Sequence, residues 1–411
     1  MVSENKSRII QKSFPQLKNH PQWRAAEFIL KTLQTNGFEA LIAGGAVRDL
    51  LMRRTPGDVD IATSATPDQV ENLFKQTVAV GKAFGVVRVI ESGESIEVAT
   101  YRMDLEYKDG RRPEGVLFSN RVEDAKRRDF TMNALFYDPF TETVFDDVGG
   151  IQDIQNRILK CVGLAGERFQ EDELRRLRLV RFVSQLGFQI EPQTLKALVT
   201  GIEGLQKVSR ERITEEVGKM WLGEFLLIAL PVWFESGMAT QIDPAWGQLS
   251  TASTSLKTWG PRDSKIHAWI QYFSFFFDEP SIKSHIKRFK FSRDLEKIIE
   301  TAFGAYREGE SFFKVSLGEQ WMKFVVPGFS LGLEYYLEKK IPSAERPKFR
   351  QILENLKHRG DLPSALVKAQ HLQNLYQGAE LGNKLKSLYL EQLNQGWTST
   401  EEALSWLSRN S

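Results

Sequence analysis

The spacing of apolar and polar positions changes character along the chain. Apolar residues recur at helical spacing from about Pro21, which predicts an amphipathic helix. In FEALIAGGAVRDLLM (38–52) an apolar run meets Gly44 and Gly45 before helical spacing resumes, predicting a strand, a glycine turn and a helix. TPGDVDIAT (55–63) reads as a turn followed by a strand, and further strands are predicted at 86–90 and 97–101. The polar, glycine-containing stretch RMDLEYKDGRRPEG (102–115) is a loop of the right length to move. From about Asp172 onward helical periodicity dominates. A boundary near 155–165 follows, between a mixed α/β front and a helical remainder. DPAWGQLSTASTSLKTWGPRDS (243–264) interrupts the helical pattern and reads as a connector between helical parts. No internal repeat is evident.

Composition sharpens this picture in three places. Of 411 residues 41% are hydrophobic and 26% charged, enough for more than one packed unit. A formal net charge of +2 excludes a uniformly cationic coat, so any contact with RNA requires local clusters of Lys and Arg. Cys161 is the only cysteine, which excludes an internal disulfide or a multi-thiolate zinc site and fits a reducing compartment. The longest apolar run, 225–234, is too short to span a bilayer and contains Pro231, while the opening MVSENKSR lacks a signal-type apolar core. A cytoplasmic protein without a membrane partner is expected.

Asp58 and Asp60 are the candidate catalytic residues and metal ligands. One residue apart on the predicted strand, they leave the same face and can converge on one hard cation such as Mg²⁺. That arrangement suits nucleotidyl transfer, in which metal ions activate the attacking hydroxyl and steady the leaving pyrophosphate. An isolated DxD is most often a solvated turn. Here Gly44, Gly45 and Arg48 stand about ten residues upstream. The glycines let backbone approach a phosphate, a helix N-terminus adds partial positive charge, and Arg48 can add a charge-assisted contact. Glu97, on a later strand, is a candidate third carboxylate or an exposed strand residue.

GGAVRDLLMRRTPGDVDIATSATPDQV (44–70) resembles the nucleotidyltransferase signature of class II CCA-adding enzymes and bacterial poly(A) polymerases. RRDFTMNAL (127–135), FDDVGGIQD (145–153), ERFQEDELRRLRLVRF (167–182) and SRERITEEVGKM (209–220) resemble the family's later motifs in order. Five ordered motifs are far more specific than any one of them. The resemblance implies an α/β head of the polymerase-β-like nucleotidyltransferase type with a mixed sheet, followed by all-α neck, body and tail domains. It divides the chain at 1–158, 159–235 and 236–411. It also implies template-independent addition of CCA to the 3′ end of tRNA from CTP and ATP with Mg²⁺, the acceptor arm of tRNA being the partner. Arg128 is then a nucleotide contact, and neighbouring Asp129 a ribose contact.

Within the fourth motif, Asp172 and Arg175 sit three apart at a predicted helix start, which makes them neighbours on one face. Cytosine and adenine share an exocyclic amine beside a ring-nitrogen acceptor, whereas uracil and guanine present a carbonyl beside an N–H. A carboxylate next to a guanidinium therefore matches C and A and rejects U and G. From the residues alone, a capping carboxylate paired with Arg175 is an equal alternative; the resemblance favours base selection. Arg178 and Arg181 continue the spacing but turn about −60° per step, toward phosphates. Glu173 and Arg176 depart from the family pattern, which has proline and an aliphatic residue there.

The loop containing Asp109, Arg111 and Arg112 resembles the one kept by enzymes that complete adenosine addition, so full CCA addition is preferred over CC-only, A-only or poly(A) synthesis. A different class, an RNA-binding protein that lost chemistry, is disfavoured by the intact motif residues. Lys283, Lys287, Arg288 and Lys290 form a candidate RNA footprint or an ordinary charged helix face. KKIPSAERPKFR (339–350) has the same two readings. The five histidines form no HD pair, so no accessory phosphohydrolase domain is expected. The oligomeric state stays open.

Overall fold

The computed structural model describes residues 8–105, 115–248, 264–274 and 282–410. It separates into two compact units, Met1–Thr254 and Ser255–Ser411. The division falls within the connector stretch.

In the first unit an eight-stranded mixed sheet is built from β1 (Arg8–Gln11), β2 (Ala40–Ala43), β3 (Asp60–Thr63), β4 (Thr77–Gly81), β5 (Val86–Glu91) and β6 (Glu94–Thr100). A separate hairpin, β7 (Arg102–Asp104) with β8 (Val116–Phe118), precedes the last two sheet strands, β9 (Leu135–Asp138) and β10 (Thr143–Asp146). The sheet order is β1-β10-β9-β2-β3-β6-β5-β4, and β3 with β6 is its parallel pair. β2 is buried along its length, as its continuous apolar sequence requires, whereas β5 and β6 put Val87, Val89, Ile96 and Val98 into the core at alternate positions. Helix α1 (Trp23–Thr35) buries Ala25, Ala26, Ile29, Leu30 and Leu33, the stripe expected from its periodicity. The short helices α2 (Gly45–Leu51) and α3 (Pro67–Leu73) follow β2 and β3, the second opened by a capping box of Thr66 and Gln69.

The unit continues through α4 (Arg121–Lys126), α5 (Gly150–Asn156), α6 (Ala165–Glu171), α7 (Leu174–Leu186), α8 (Pro192–Val199), α9 (Arg210–Trp221), α10 (Leu226–Glu235) and α11 (Met238–Ile242). α7 packs against α9 and α10 and buries most of its residues, charged ones included.

The second unit is helical throughout its described residues: α12 (Lys265–Ser274), α13 (Ile282–Ile286), α14 (Arg293–Glu308), α15 (Leu317–Phe324), α16 (Phe329–Lys340), α17 (Arg346–Arg359), α18 (Ala369–Leu372), α19 (Gly378–Gln395) and α20 (Thr400–Asn410). α14 and α16 meet backbone to backbone, since a Cβ on Gly332 would lie 2.0 Å from the Ala302 carbonyl oxygen. Leu333, Leu337, Leu353, Leu356 and Trp321 form its main core, and Leu372, Leu388, Ala403 and Leu407 a second one near the end. Among the described residues no helix is long and apolar enough to cross a membrane.

Candidate active site

The acidic pair stands where β3 begins. Val59 is buried between Asp58 and Asp60, which are both exposed, so the two carboxylates leave one face as predicted. The strand itself starts at Asp60, one step later than expected; Asp58 lies in the preceding segment. There the Val59 N–H donates to Gln22 Oε1 at 2.9 Å instead of to a neighbouring strand. The parallel register pairs Ile61 with Val98, which brings Glu97 of β6 alongside Asp60.

The Asp60 carboxyl is pushed up to about 6, first by the protein mass around it and then by the negative charges of Glu97 and Asp58, with Arg128 pulling the other way. This face holds a surplus of negative charge and hard oxygen donors, and a divalent cation would neutralise the repulsion. The residues therefore fit Mg²⁺. Among the described residues no three His, Cys, Asp or Glu side chains are gathered as an ion-holding group. Two protein carboxylates leaving further positions to water and phosphate oxygens is the mode Mg²⁺ prefers.

The glycine turn sits beside this pair, because Ala43 at the end of β2 is opposite Asp60. Gly44 has φ +71°, and a Cβ there would come within 3.0 Å of the Arg128 guanidinium, so both the backbone and the space require glycine. Gly45 opens α2 next to Arg48. Arg48 is fixed from two sides, donating to Asp49 Oδ1 and Asn133 Oδ1, each at 2.8 Å.

A buried carboxylate organises the next motif. Asp124, 1% exposed at its side chain, accepts from Arg127 and Arg128 together, at 2.6 and 2.9 Å. Arg128 also donates to the Asn133 carbonyl oxygen at 3.2 Å. Asp129 accepts from the Phe130 N–H, from Asn133 Nδ2 and from Arg178 of α7. Burial alone would raise its pKa, but Arg178 and Arg175 hold it down at about 2. The third motif is a brace: the Asp146 carboxylate accepts from the N–H groups of Val148, Gly149, Gly150 and Ile151. A Cβ on Gly150 would lie 2.1 Å from the Thr131 carbonyl oxygen. The brace thus holds the 131–135 segment that carries Asn133.

Asp172 and Arg175, the candidate base-selecting residues, depart from the expected helix-start geometry. Asp172 has φ −145° and ψ 102° and ends α6; Glu173 caps α7, which begins at Leu174. The Asp172 carboxylate accepts from the Leu174 N–H at 3.1 Å, a local turn that competes with helix and breaks the run. Its ion partner is Arg212 of α9, at 2.7 Å on Oδ2 and 3.2 Å on Oδ1. Arg175 donates to Glu171, to the Arg168 carbonyl and, at 3.0 Å, to the Arg127 carbonyl. Asp172 and Arg175 are thus each tethered by their own partners.

Arg178 and Arg181, expected to face phosphates, are committed to carboxylates: Arg178 to Asp129 at 2.6 Å and Arg181 to Glu216 at 2.9 Å. Arg181 is pushed down to about 10 by burial, against the pull of Glu216 and with the repulsion of Arg178. Arg48, Arg178 and Arg181 all lie over the Phe182 ring, with centroid distances of 5.3, 5.6 and 4.1 Å.

A continuous chain of contacts therefore runs Arg48–Asn133–Asp129–Arg178, and Arg127 and Arg175 add a second crossing between the sheet side and α7. Sequence reasoning missed Asp124, Asn133, Arg212 and Glu216. All four lie in or beside the recognised motifs, and the i, i+4 spacing of Arg212 and Glu216 on an otherwise apolar face of α9 was the available signal. Asp109, Arg111 and Arg112 lie outside the described residues. Lys283, Lys287 and Lys290 are exposed on or just after α13 in the second unit, with Arg288 partly covered.

The chain is similar to known proteins in sequence and in fold. Residues 40–160 match the poly A polymerase head domain, and residues 187–246 match the probable RNA and SrmB-binding site of polymerase A. Over these residues the chain is similar to poly A polymerases. A CCA-adding enzyme of Geobacillus thermodenitrificans is 47% identical over 223 residues, 54% of this chain and 55% of that protein. One from Staphylococcus aureus is 47% identical over 196 residues, 47% of this chain and 49% of that protein. The sequence match thus spans about half the length of these curated relatives. The crystal structure of Bacillus stearothermophilus CCA-adding enzyme in complex with CTP aligns with a TM-score of 0.78 at 28% identity, covering 95% of this chain and 98% of that one. Thermotoga maritima CCA-adding enzyme complexed with tRNA-CCA shares the fold at a TM-score of 0.64 and 18% identity, covering 98% and 99%.

Proposed function

We propose that the protein adds CCA to the 3′ end of tRNA, one nucleotide at a time and without a nucleic-acid template, taking CTP and ATP and releasing pyrophosphate in the cytoplasm. The observation that carries this reading is a carboxylate pair short of positive charge beside a glycine turn that the Arg48–Asn133–Asp129–Arg178 contacts link to α7, whose first turn carries the tethered Asp172 and Arg175. The curated relatives are named CCA-adding enzymes, and the solved structures of this fold include complexes with CTP and with tRNA-CCA.

Asp58 and Asp60 would hold Mg²⁺, which supplies activation of the 3′-hydroxyl and charge stabilisation at the leaving pyrophosphate. Arg48 and Arg128, each held by a second partner, present fixed positive charge beside the acidic pair for the triphosphate. Asp129 is held charged by Arg178 and Arg175, and its carboxylate is already engaged by the Phe130 N–H, Asn133 and Arg178, so a ribose hydroxyl there would share or displace one of these partners.

Asp172 and Arg175 read the base. An ionised carboxylate offers about four acceptor positions. Arg212 and the Leu174 N–H use both on Oδ1, and Arg212 uses one on Oδ2, which leaves one on Oδ2 for the exocyclic amine of C or A. A uracil or guanine carbonyl at that point would meet a carboxylate oxygen and be repelled.

Extension of tRNA lacking its tail tests this. With CTP and ATP together three residues are added and synthesis stops; with CTP alone it stops at two. A long A ladder would establish poly(A) synthesis instead, and no extension of any RNA would reject the enzyme reading.

A further inference from the structure

The two positions at which this chain departs from its family inside the selecting motif are occupied by a buried ion pair. Arg176 Nε donates to Glu173 Oε2 at 2.7 Å, with side chains 3% and 7% exposed. The same guanidinium donates to the carbonyls of Ala197 and Leu198 at 2.5 and 2.8 Å, closing the last turn of α8, and lies 4.8 Å over the Phe169 ring of α6. On the other side the turn 202–207 is pressed against the pair. A Cβ on Gly204 would fall 2.2 Å from the Glu173 carboxylate, and one on Gly201 would fall 3.2 Å from the Arg176 guanidinium. Glu173 and Arg176 thus tie the first turn of α7 to α6, α8 and that turn, where these elements together line a cavity of about 810 Å³.

We infer that the Glu173–Arg176 pair is a positioning device for nucleotide selection, setting the direction and separation of Asp172 and Arg175. The inference rests on the reading of Asp172 and Arg175 as the base-selecting couple. Each member of the lock follows a member of the couple in sequence, 172 with 173 and 175 with 176, so a small rotation of this turn moves both. Neighbours about 100° apart around the helix reach different places: Arg175 goes to the Arg127 carbonyl, Arg176 to α8. A buried ion pair is a poor source of stability relative to apolar residues of the same volume, because desolvation offsets its attraction. What it supplies is direction, since a guanidinium fork bonded to two carbonyls and a carboxylate has one orientation.

The test compares full-length wild type, Glu173→Leu/Arg176→Met, Arg176→Lys and Asp172→Ala. Single-nucleotide extension of tail-less tRNA is measured with CTP and with UTP, separating kcat from KM, alongside thermal unfolding and tRNA binding. The double variant keeps the volume of the lock without its charge. It should bind tRNA as wild type and melt within a few degrees of it, yet lose about tenfold of its CTP-over-UTP preference, mainly through KM for CTP. Arg176→Lys keeps the charge but not the fork and should show a smaller loss in the same direction. A folded double variant with unchanged preference would overturn the inference. Should the double variant fail to fold, Arg176→Lys decides alone: unchanged preference overturns the inference and reduced preference supports it. Asp172→Ala separates the two levels. If it relaxes the preference and the lock variants do not, only the lock falls; if it leaves the preference unchanged, the base-selecting reading falls and the lock with it.

Discussion

Asp60 and Asp129 lie in the same unit, and both approach Arg128 or its neighbours, yet their electrostatics are opposite. Asp60 is raised to about 6 by the protein around it and by the adjacent carboxylates Glu97 and Asp58. Asp129 is held at about 2 because Arg178 and Arg175 outweigh its burial. The difference separates two kinds of site. At the start of β3 the protein leaves negative charge unbalanced, and something from outside must complete it. Beside α7 every carboxylate of the network has a guanidinium, as Asp124, Asp129, Asp172 and Glu216 show, so what remains to offer is aligned hydrogen bonds. The first arrangement suits a cation and the second a neutral base edge.

The largest effect belongs to the unbalanced side. Asp60→Ala should lower nucleotide incorporation by on the order of a thousandfold or more while tRNA binding persists. Turnover retained at saturating Mg²⁺ would detach the acidic pair from the chemistry.

On the balanced side, Arg212→Met releases Asp172 from its tether. Loss of a charge-assisted hydrogen bond of roughly 1.5–3 kcal/mol predicts a fall of about ten- to a hundredfold in CTP-over-UTP preference. Parallel extension assays measure it, and an unchanged ratio would show that the tether does not serve selection.

The two carboxylates also give stability profiles of opposite sign. Asp129 has a folded pKa below its unfolded value, so its contribution, about 2 kcal/mol, is present above pH 4 and is lost as pH falls from about 4 toward 2. Denaturant unfolding of wild type and Asp129→Asn across that range should show a gap that narrows with acid; a constant gap would contradict the assignment. Asp60 has a folded pKa above its unfolded value, so its protonated form favours the fold at low pH and this support fades as pH rises through about 6. Asp60→Asn should therefore melt a little higher than wild type in EDTA at pH 7.5, and Mg²⁺ should raise wild type more than the variant.

The contrast also explains what could be read from the chain. Gly44, Gly45, Arg48, Asp58 and Asp60 were legible because short-range spacing alone determines the turn at φ +71° and the shared face of the carboxylates. The α/β character of the front and the helical remainder followed from periodicity in the same way, whereas the mixed sheet came from the resemblance alone. The α7 region was less legible because its partners come from far along the chain: Arg212 reaches Asp172 across 40 residues, and Arg178 reaches Asp129 across 49. The helix start expected at Asp172 lies two residues later, at Leu174, because the bond from the Leu174 N–H to the Asp172 carboxylate holds Asp172 in an extended link between α6 and α7. The pairing of Glu97 with Asp60 depends on sheet order, which periodicity does not specify.

The central claim is that the charge deficit at the head of β3 and the aligned couple at the head of α7 serve one bound nucleotide. A crystal structure of the protein with CTP and Mg²⁺ tests it most directly. The account predicts a cation within about 2.1 Å of oxygens from both Asp58 and Asp60, with the cytosine amine on Asp172 and its ring nitrogen facing Arg175. A cation held elsewhere, or a cytosine edge turned away from that couple, would contradict it.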